Sequence, residues 1–156
     1  MIRVLLALDE SVASFRAARE GARLFRTDAE FLVINVARVP VPWLPVSGFG
    51  TVSLPPPSWD AADLATFSEA DLLQRAGEAG ASPAEVVTAV GDPVQCICAA
   101  AEEHDVDVVV VGGHDKGFLA RLFDPSVSAG VVRGTHRPVL VVSGTGPDRP
   151  DRQSPA

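Results

Sequence analysis

At 156 residues the chain is long enough for one domain with a sizeable core, and 47% hydrophobic residues mark it as globular. Twenty acidic residues against 13 basic ones give a net charge of −7, which argues against a nucleic-acid-binding surface. No apolar run approaches the ~18 residues that cross a bilayer, and Met1 leads straight into a strand without a charged-then-apolar leader, so no membrane contact and a cytoplasmic location are expected.

Ile2 to Leu8 is apolar except for Arg3 and reads as a strand, stopped by Asp9-Glu10-Ser11. Ser11 can cap a helix running to about Arg26. Phe15, Ala18, Ala22 and Phe25 share its apolar face, while Arg16, Glu20, Arg23 and Thr27 form a solvated one. Phe31 to Ala37 is a second strand. Between Arg38 and Trp59 stand six prolines and two glycines, so regular structure is not expected there. A loop this long in a compact domain is functional or disordered, and Trp43, Leu44, Phe49 and Leu54 argue against a plain flexible linker. A helix is predicted from Ser58 or Asp60 to about Ala79.

Ala84 to Val90 is a third strand. Asp92 as N-cap and Pro93 at the first helical position begin a helix to about Glu103, with Val94, Ile97, Cys98 and Ala101 as its core stripe. Cys96 and Cys98, two apart on that helix, point to different faces and read as ordinary thiols, neither a disulfide nor a metal pair. Val108 to Val111 are four consecutive valines, the mark of a parallel strand covered on both faces. The strand stops at Gly112-Gly113, a loop of about a dozen residues follows, and a helix runs from Ser126 to near Gly134. Pro138 to Val142 is the fifth strand, and the polar, proline-rich stretch from Gly144 to Ala156 reads as a disordered tail. Five strands alternating with four helices give an α/β fold with a parallel sheet, in one domain over residues 1–143.

A glycine pair at the end of a parallel strand, then Ser126-Val127-Ser128 at a helix start, is an arrangement that holds phosphates with backbone N–H groups and hydroxyls. The stretch from Asp107 to Ser128 resembles the C-terminal half of a universal stress protein domain. Nucleotide-binding members of that family carry Gly-x-x-Gly, nine residues, then Gly-Ser or Gly-Thr. Here Gly112 and Ser126 match and the spacing is intact, but Asp115 and Pro125 replace the second and third glycines. Further landmarks are the strand ending in Asp9, the Gly91-Asp92-Pro93 turn and Pro138-Val139, so the resemblance covers residues 1 to about 142, apart from the loop Val39 to Pro57. It implies an open, doubly wound, five-stranded parallel sheet of strand order 3-2-1-4-5, of the adenine-nucleotide alpha-hydrolase-like class.

That order brings the loops after strands 1, 2 and 4 to one edge, with Asp9, the proline-rich loop and Gly112 to Pro125 around one cleft. For a bound nucleotide, ATP or AMP with Mg²⁺, the resemblance implies particular roles. Asp9 would meet the adenine or ribose, and backbone at Val36 and Val111 would contact the base. Gly112 would let the chain pass close to the sugar and phosphates, which Ser126, Val127 and Ser128 would hold. The residues also allow a plainer reading of Asp9, as a helix-start carboxylate. Pro125 has no N–H to donate. Asp115 can adopt φ > 0, but sets a carboxylate beside a triphosphate, with Asp124 adding to it. Lys116, Arg121, His114 or a divalent cation would offset part of that repulsion.

A response regulator would need a lysine after the fifth strand, where Ser143-Gly144-Thr145 stands. A flavodoxin would need a phosphate loop where Asp9-Glu10 stands. No Gly-x-Ser-x-Gly elbow and no zinc spacing occur. Two functions stay open. The expectation is a dimeric stress-associated protein acting through protein contacts, with weak or no ATP binding and no catalytic residues. The alternative is an adenine-nucleotide-binding stress sensor with at most slow hydrolysis. Val139 to Val142 form a valine-rich edge, and a bare apolar edge invites pairing; the resemblance implies a homodimer through this strand. The loop 39–58 is expected to be a cover or a docking surface for a protein partner.

Overall fold

The first strand is built from residues that have no reason to face water. Val4, Leu5 and Leu6 are each 0% exposed, and only the flanking positions reach solvent. The computed structural model describes residues 1–26, 28–37, 43–46, 50–53, 67–113 and 126–143. Along them run β1 (Ile2–Ala7), α1 (Val12–Phe25), β2 (Ala29–Ala37), β3 (Trp43–Val46), β4 (Gly50–Ser53), α2 (Glu69–Glu78), β5 (Pro83–Val90), α3 (Pro93–Glu103), β6 (Val108–Gly112), α4 (Ser126–Gly134) and β7 (Val139–Val142).

Five strands form one sheet in the order β5-β2-β1-β6-β7, with every neighbouring pair parallel. Leaving aside the short β3-β4 ribbon, this is the expected order 3-2-1-4-5. Alternate residues of the central strands feed two cores. Val4, Leu6, Val33, Val108 and Val110 meet α1 and α2 on one face. Leu5, Leu32, Ile34, Val109 and Val111 meet α3 and α4 on the other. Each fully buried Leu or Val contributes ~1.5–3 kcal/mol of transfer free energy, so continuous apolar runs are what a two-sided sheet requires.

Helix starts follow their caps. Ser11 Oγ accepts from the Ser14 N–H at 3.0 Å, and Asp92 Oδ1 from the Gln95 N–H at 2.9 Å, with Pro93 following. The predicted helix from Ser58 or Asp60 to about Ala79 does not run unbroken through Ser68. Ser68 is extended, with φ −73° and ψ 162°, and α2 begins only at Glu69; residues 54–66 lie outside the described residues. The cause is a capping box, in which Ser68 Oγ accepts from the Asp71 N–H while Asp71 Oδ2 accepts from the Ser68 N–H.

The proline-rich loop also departs from the expectation of no regular structure. Trp43 pairs with Ser53 and Val46 with Gly50 in an antiparallel ribbon. In a two-stranded ribbon both strands are edges, so Pro45, which has no N–H, is tolerated where a central strand would exclude it. The expected tail from Gly144 to Ala156 lies outside the described residues. Among the described residues no helix is long and apolar enough to cross a membrane.

Candidate functional site

The chain lays down β1, adds β2 and β5 on one side, then crosses back to add β6 and β7 on the other. The switch falls between β1 and β6, and ligands of open α/β sheets sit beyond the carboxyl ends of strands at that point. The register sets which residues arrive there. Ala7 pairs with Ile34 and Leu6 with Val110, so two further steps bring Asp9 level with Val36, and Leu8 level with Gly112. A helix that follows a parallel strand runs back along the sheet, which places the start of α4, Ser126, at this same edge.

Asp9 opens a tightly bonded turn. Its Oδ1 accepts the Ser11 N–H at 2.8 Å, and its own N–H donates to Ser14 Oγ at 3.1 Å. The Ser14 hydroxyl is within reach of the Ser11 carbonyl at 3.0 Å and the Asp9 carbonyl at 3.2 Å. Ser14 is itself buried. The helix-start role of the Asp9 carboxylate is thus realised through one of its oxygens. Asn35 steadies the strand end beneath, since its Nδ2 donates to the Leu8 carbonyl at 2.8 Å. Sequence reasoning passed over Asn35 and Ser14; the signal for the first was a lone amide inside the apolar run of β2.

Gly112 has a structural reason of its own. A Cβ there would lie 2.7 Å from the Ala13 carbonyl carbon and 2.9 Å from the Ser14 nitrogen. The first turn of α1 therefore rests directly on the end of β6, which only glycine permits. Gly113 continues the strand by donating its N–H to the Val142 carbonyl at 2.8 Å. Val111 is buried, and Val36 and Val127 pack with it on the face covered by α3 and α4. Ser128 is half-buried on α4. The structure thus gathers Asp9, Val36, Val111, Gly112 and the first turn of α4 at one edge. Asp115 and Pro125, with His114, Lys116, Arg121 and Asp124, lie outside the described residues.

Cys96 and Cys98 sit on α3. Burial, then the nearby acids (Asp92 for both, with Glu102 ahead of it for Cys98), pushes both thiols up from their ordinary values, which makes them poor nucleophiles. No group of three or more potential metal ligands occurs among the described residues.

Fold and edge together define a doubly wound α/β protein whose strand order switches between β1 and β6. The chain belongs to the universal stress protein family, whose sequence model matches residues 1–143. Over 56 residues it is 36% identical to the universal stress protein MJ0577 of Methanocaldococcus jannaschii, a stretch that is 36% of this chain and 35% of that protein. The match therefore spans about a third of that relative. Among solved structures it is similar to a universal stress protein in complex with cAMP (24% identity, TM-score 0.60, covering 90% of this chain and 96% of that one). It is also similar to the UspA protein of Lactobacillus plantarum (19%, TM-score 0.60, 90% and 97%). A third is a family protein of Arabidopsis thaliana with AMP bound (18%, TM-score 0.58, 97% and 98%). At these identities the likeness is one of fold.

Proposed function

We propose that this universal stress protein acts as a homodimer through protein contacts and binds ATP weakly or not at all. The observation that carries the reading is the replacement of two glycines of the family's phosphate motif by Asp115 and Pro125. Pro125 removes an N–H from the helix-start donors, and Asp115 brings a negative charge toward the phosphates. Two features of the edge support it. The Asp9 carboxylate already serves the Ser11 N–H, and Gly112 is accounted for by the seat of α1, so neither requires a nucleotide to explain it. The dimer is supported by β7, an edge strand of the sheet that carries exposed Val141.

A second reading, an adenine-nucleotide sensor, is favoured by the solved relatives that hold cAMP or AMP, and by the intact spacing of Gly112, Ser126 and Ser128. The two are separated by the nucleotide content of the purified protein and by calorimetric titration with ATP and AMP, with and without Mg²⁺. The first reading expects no co-purifying nucleotide and no saturable heat at micromolar ligand. Micromolar binding would establish the second.

A further inference from the structure

Helix α1 turns one face to the core and the other to solvent. Ser14, Ala17, Ala18, Gly21 and Ala22 are buried, at the i, i+3, i+4, i+7, i+8 spacing of a core stripe. The opposite face carries Arg16, Arg19, Arg23 and Arg26, at i, i+3, i+7 and i+10, with Arg26 as the C-cap. That spacing sets the four in one narrow row, about 15 Å long at 1.5 Å per residue. Arg19, Arg23 and Arg26 are exposed and Arg16 is half-buried. Leu24, 53% exposed, stands beside the row.

We propose that this row is a docking surface for an acidic segment of a partner protein, whose carboxylates meet the guanidinium groups and whose apolar side chain meets Leu24. The inference deepens the reading of a protein that works through protein contacts: it rests on that reading and supplies the partner's chemistry.

Two ordinary reasons for arginines on a helix do not account for the row. Cations complement the carboxyl-terminal dipole only within the last turn, and Arg16 and Arg19 lie before it. Surface charge aids solubility by holding the net charge away from zero, yet these four diminish a net charge of −7. With them set aside, 20 acidic residues stand against nine basic ones, so the row is a concentrated reversal of the molecule's sign. Its chemistry is that of carboxylate recognition. Arg23 Nε and Nη2 both reach Glu20 Oε2, at 3.0 and 2.8 Å, the guanidinium fork closing on a carboxylate. Arg16 and Arg19 also interact within the chain, so a partner is drawn by the row as a whole, and Arg23 and Arg26 are the positions to test. A nucleic acid offers no apolar side chain to Leu24, and beyond the row its phosphates meet the acidic remainder. A lipid surface takes a basic helix whose apolar face is free to enter it, whereas the apolar face of α1 is buried against the sheet.

The probe is a synthetic peptide of about 20 residues, long enough to hold a helix in water, with glutamates at i, i+3, i+7 and i+10 and a leucine beside them. Its binding to the full chain is followed by amide chemical shifts. A dissociation constant of about 100 μM or tighter is expected, with shifts concentrated on residues 16–26. Arg23→Glu with Arg26→Glu should weaken binding at least about tenfold, since two attractions become repulsions. Arg23→Gln with Arg26→Gln should weaken it about threefold; this pair sets no new charge beside Glu20 and reads the effect even if the glutamate pair unfolds, which circular dichroism reports. Arg133→Glu, an exposed change on α4, should bind as wild type. No binding at about 1 mM peptide would overturn the proposal. So would shifts that map away from α1, or equal binding by a peptide with glutamine in place of the glutamates. A thymidine oligonucleotide or phosphatidylserine vesicles that engage α1 more tightly than the peptide would overturn it in favour of those partners. Micromolar nucleotide binding in the titrations above would undo the protein-contact reading and leave the peptide result standing. Failure of the peptide alone would undo this inference and leave the dimer and the titrations untouched.

Discussion

Two glycines show how differently one residue type can be used. At Gly112 a Cβ would collide with the backbone of Ala13 and Ser14, which cannot give way as a flexible side chain can. Gly112→Ala is expected to cost about 1–3 kcal/mol, measured by urea denaturation. Gly77 lies in α2 with no atom of the described residues within 4 Å of its Cβ position. Gly77→Ala is expected to stabilise by about 0.5–1 kcal/mol, through helix propensity and a less free unfolded chain. A Gly112→Ala protein as stable as wild type would contradict the close seat of α1. From sequence, Gly112 was legible as the end of a strand and as a phosphate-loop glycine. Its contact with Ala13 was not, because it joins residues far apart in the chain that meet only once the sheet is assembled.

At the level of elements, α2 and β7 each offer a test. Ser68 donates through its hydroxyl and its N–H to the Asp71 carboxylate, which holds that carboxyl below its ordinary value of 3.8. A depressed carboxylate stabilises above its unfolded value, and the contribution is lost as pH falls through the folded one. Amides of the first turn of α2 are therefore expected to lose protection as pH drops below 3.8, and Asp71→Asn to abolish that acid step. An acid step that survives the substitution would place its origin elsewhere. The Ser68-x-x-Asp71 signal was present in the sequence as a helix start. In β7, Leu140 and Val142 pack into the core on the α1 and α2 side, while Val141 is 39% exposed. Val141→Glu is thus the change that separates assembly from folding. It is expected to give a folded monomer by light scattering at tens of micromolar, with the helix and strand content of the wild type. A wild type that is itself monomeric would contradict the proposed dimer.

For the whole molecule, the alternation of apolar strands with capped, amphipathic helices was legible because each element is a local pattern, as in Val108 to Val111 or Asp92-Pro93. The strand order came from the family resemblance, and the register of β1 with β2 and β6 agrees with it. The β3-β4 ribbon was not legible, since prolines obscure strand propensity and pairing Trp43 with Ser53 is a cross-strand event. The proposed function turns on the edge between β1 and β6, where Asp115 and Pro125 replace two motif glycines and are proposed to weaken nucleotide binding. Pro125→Gly restores an N–H, and a hydrogen bond to a charged group contributes roughly 1.5–3 kcal/mol. On the proposed reading, Asp115→Gly removes a negative charge that opposes a polyphosphate, about 1 kcal/mol after screening. The most direct measurement is calorimetric titration of ATP into the wild type and into the Asp115→Gly, Pro125→Gly double variant. Binding by the double variant is expected to be at least ~50-fold tighter, with the gain shrinking in high salt. Tight binding by the wild type, or a double variant no better than wild type, would contradict the account.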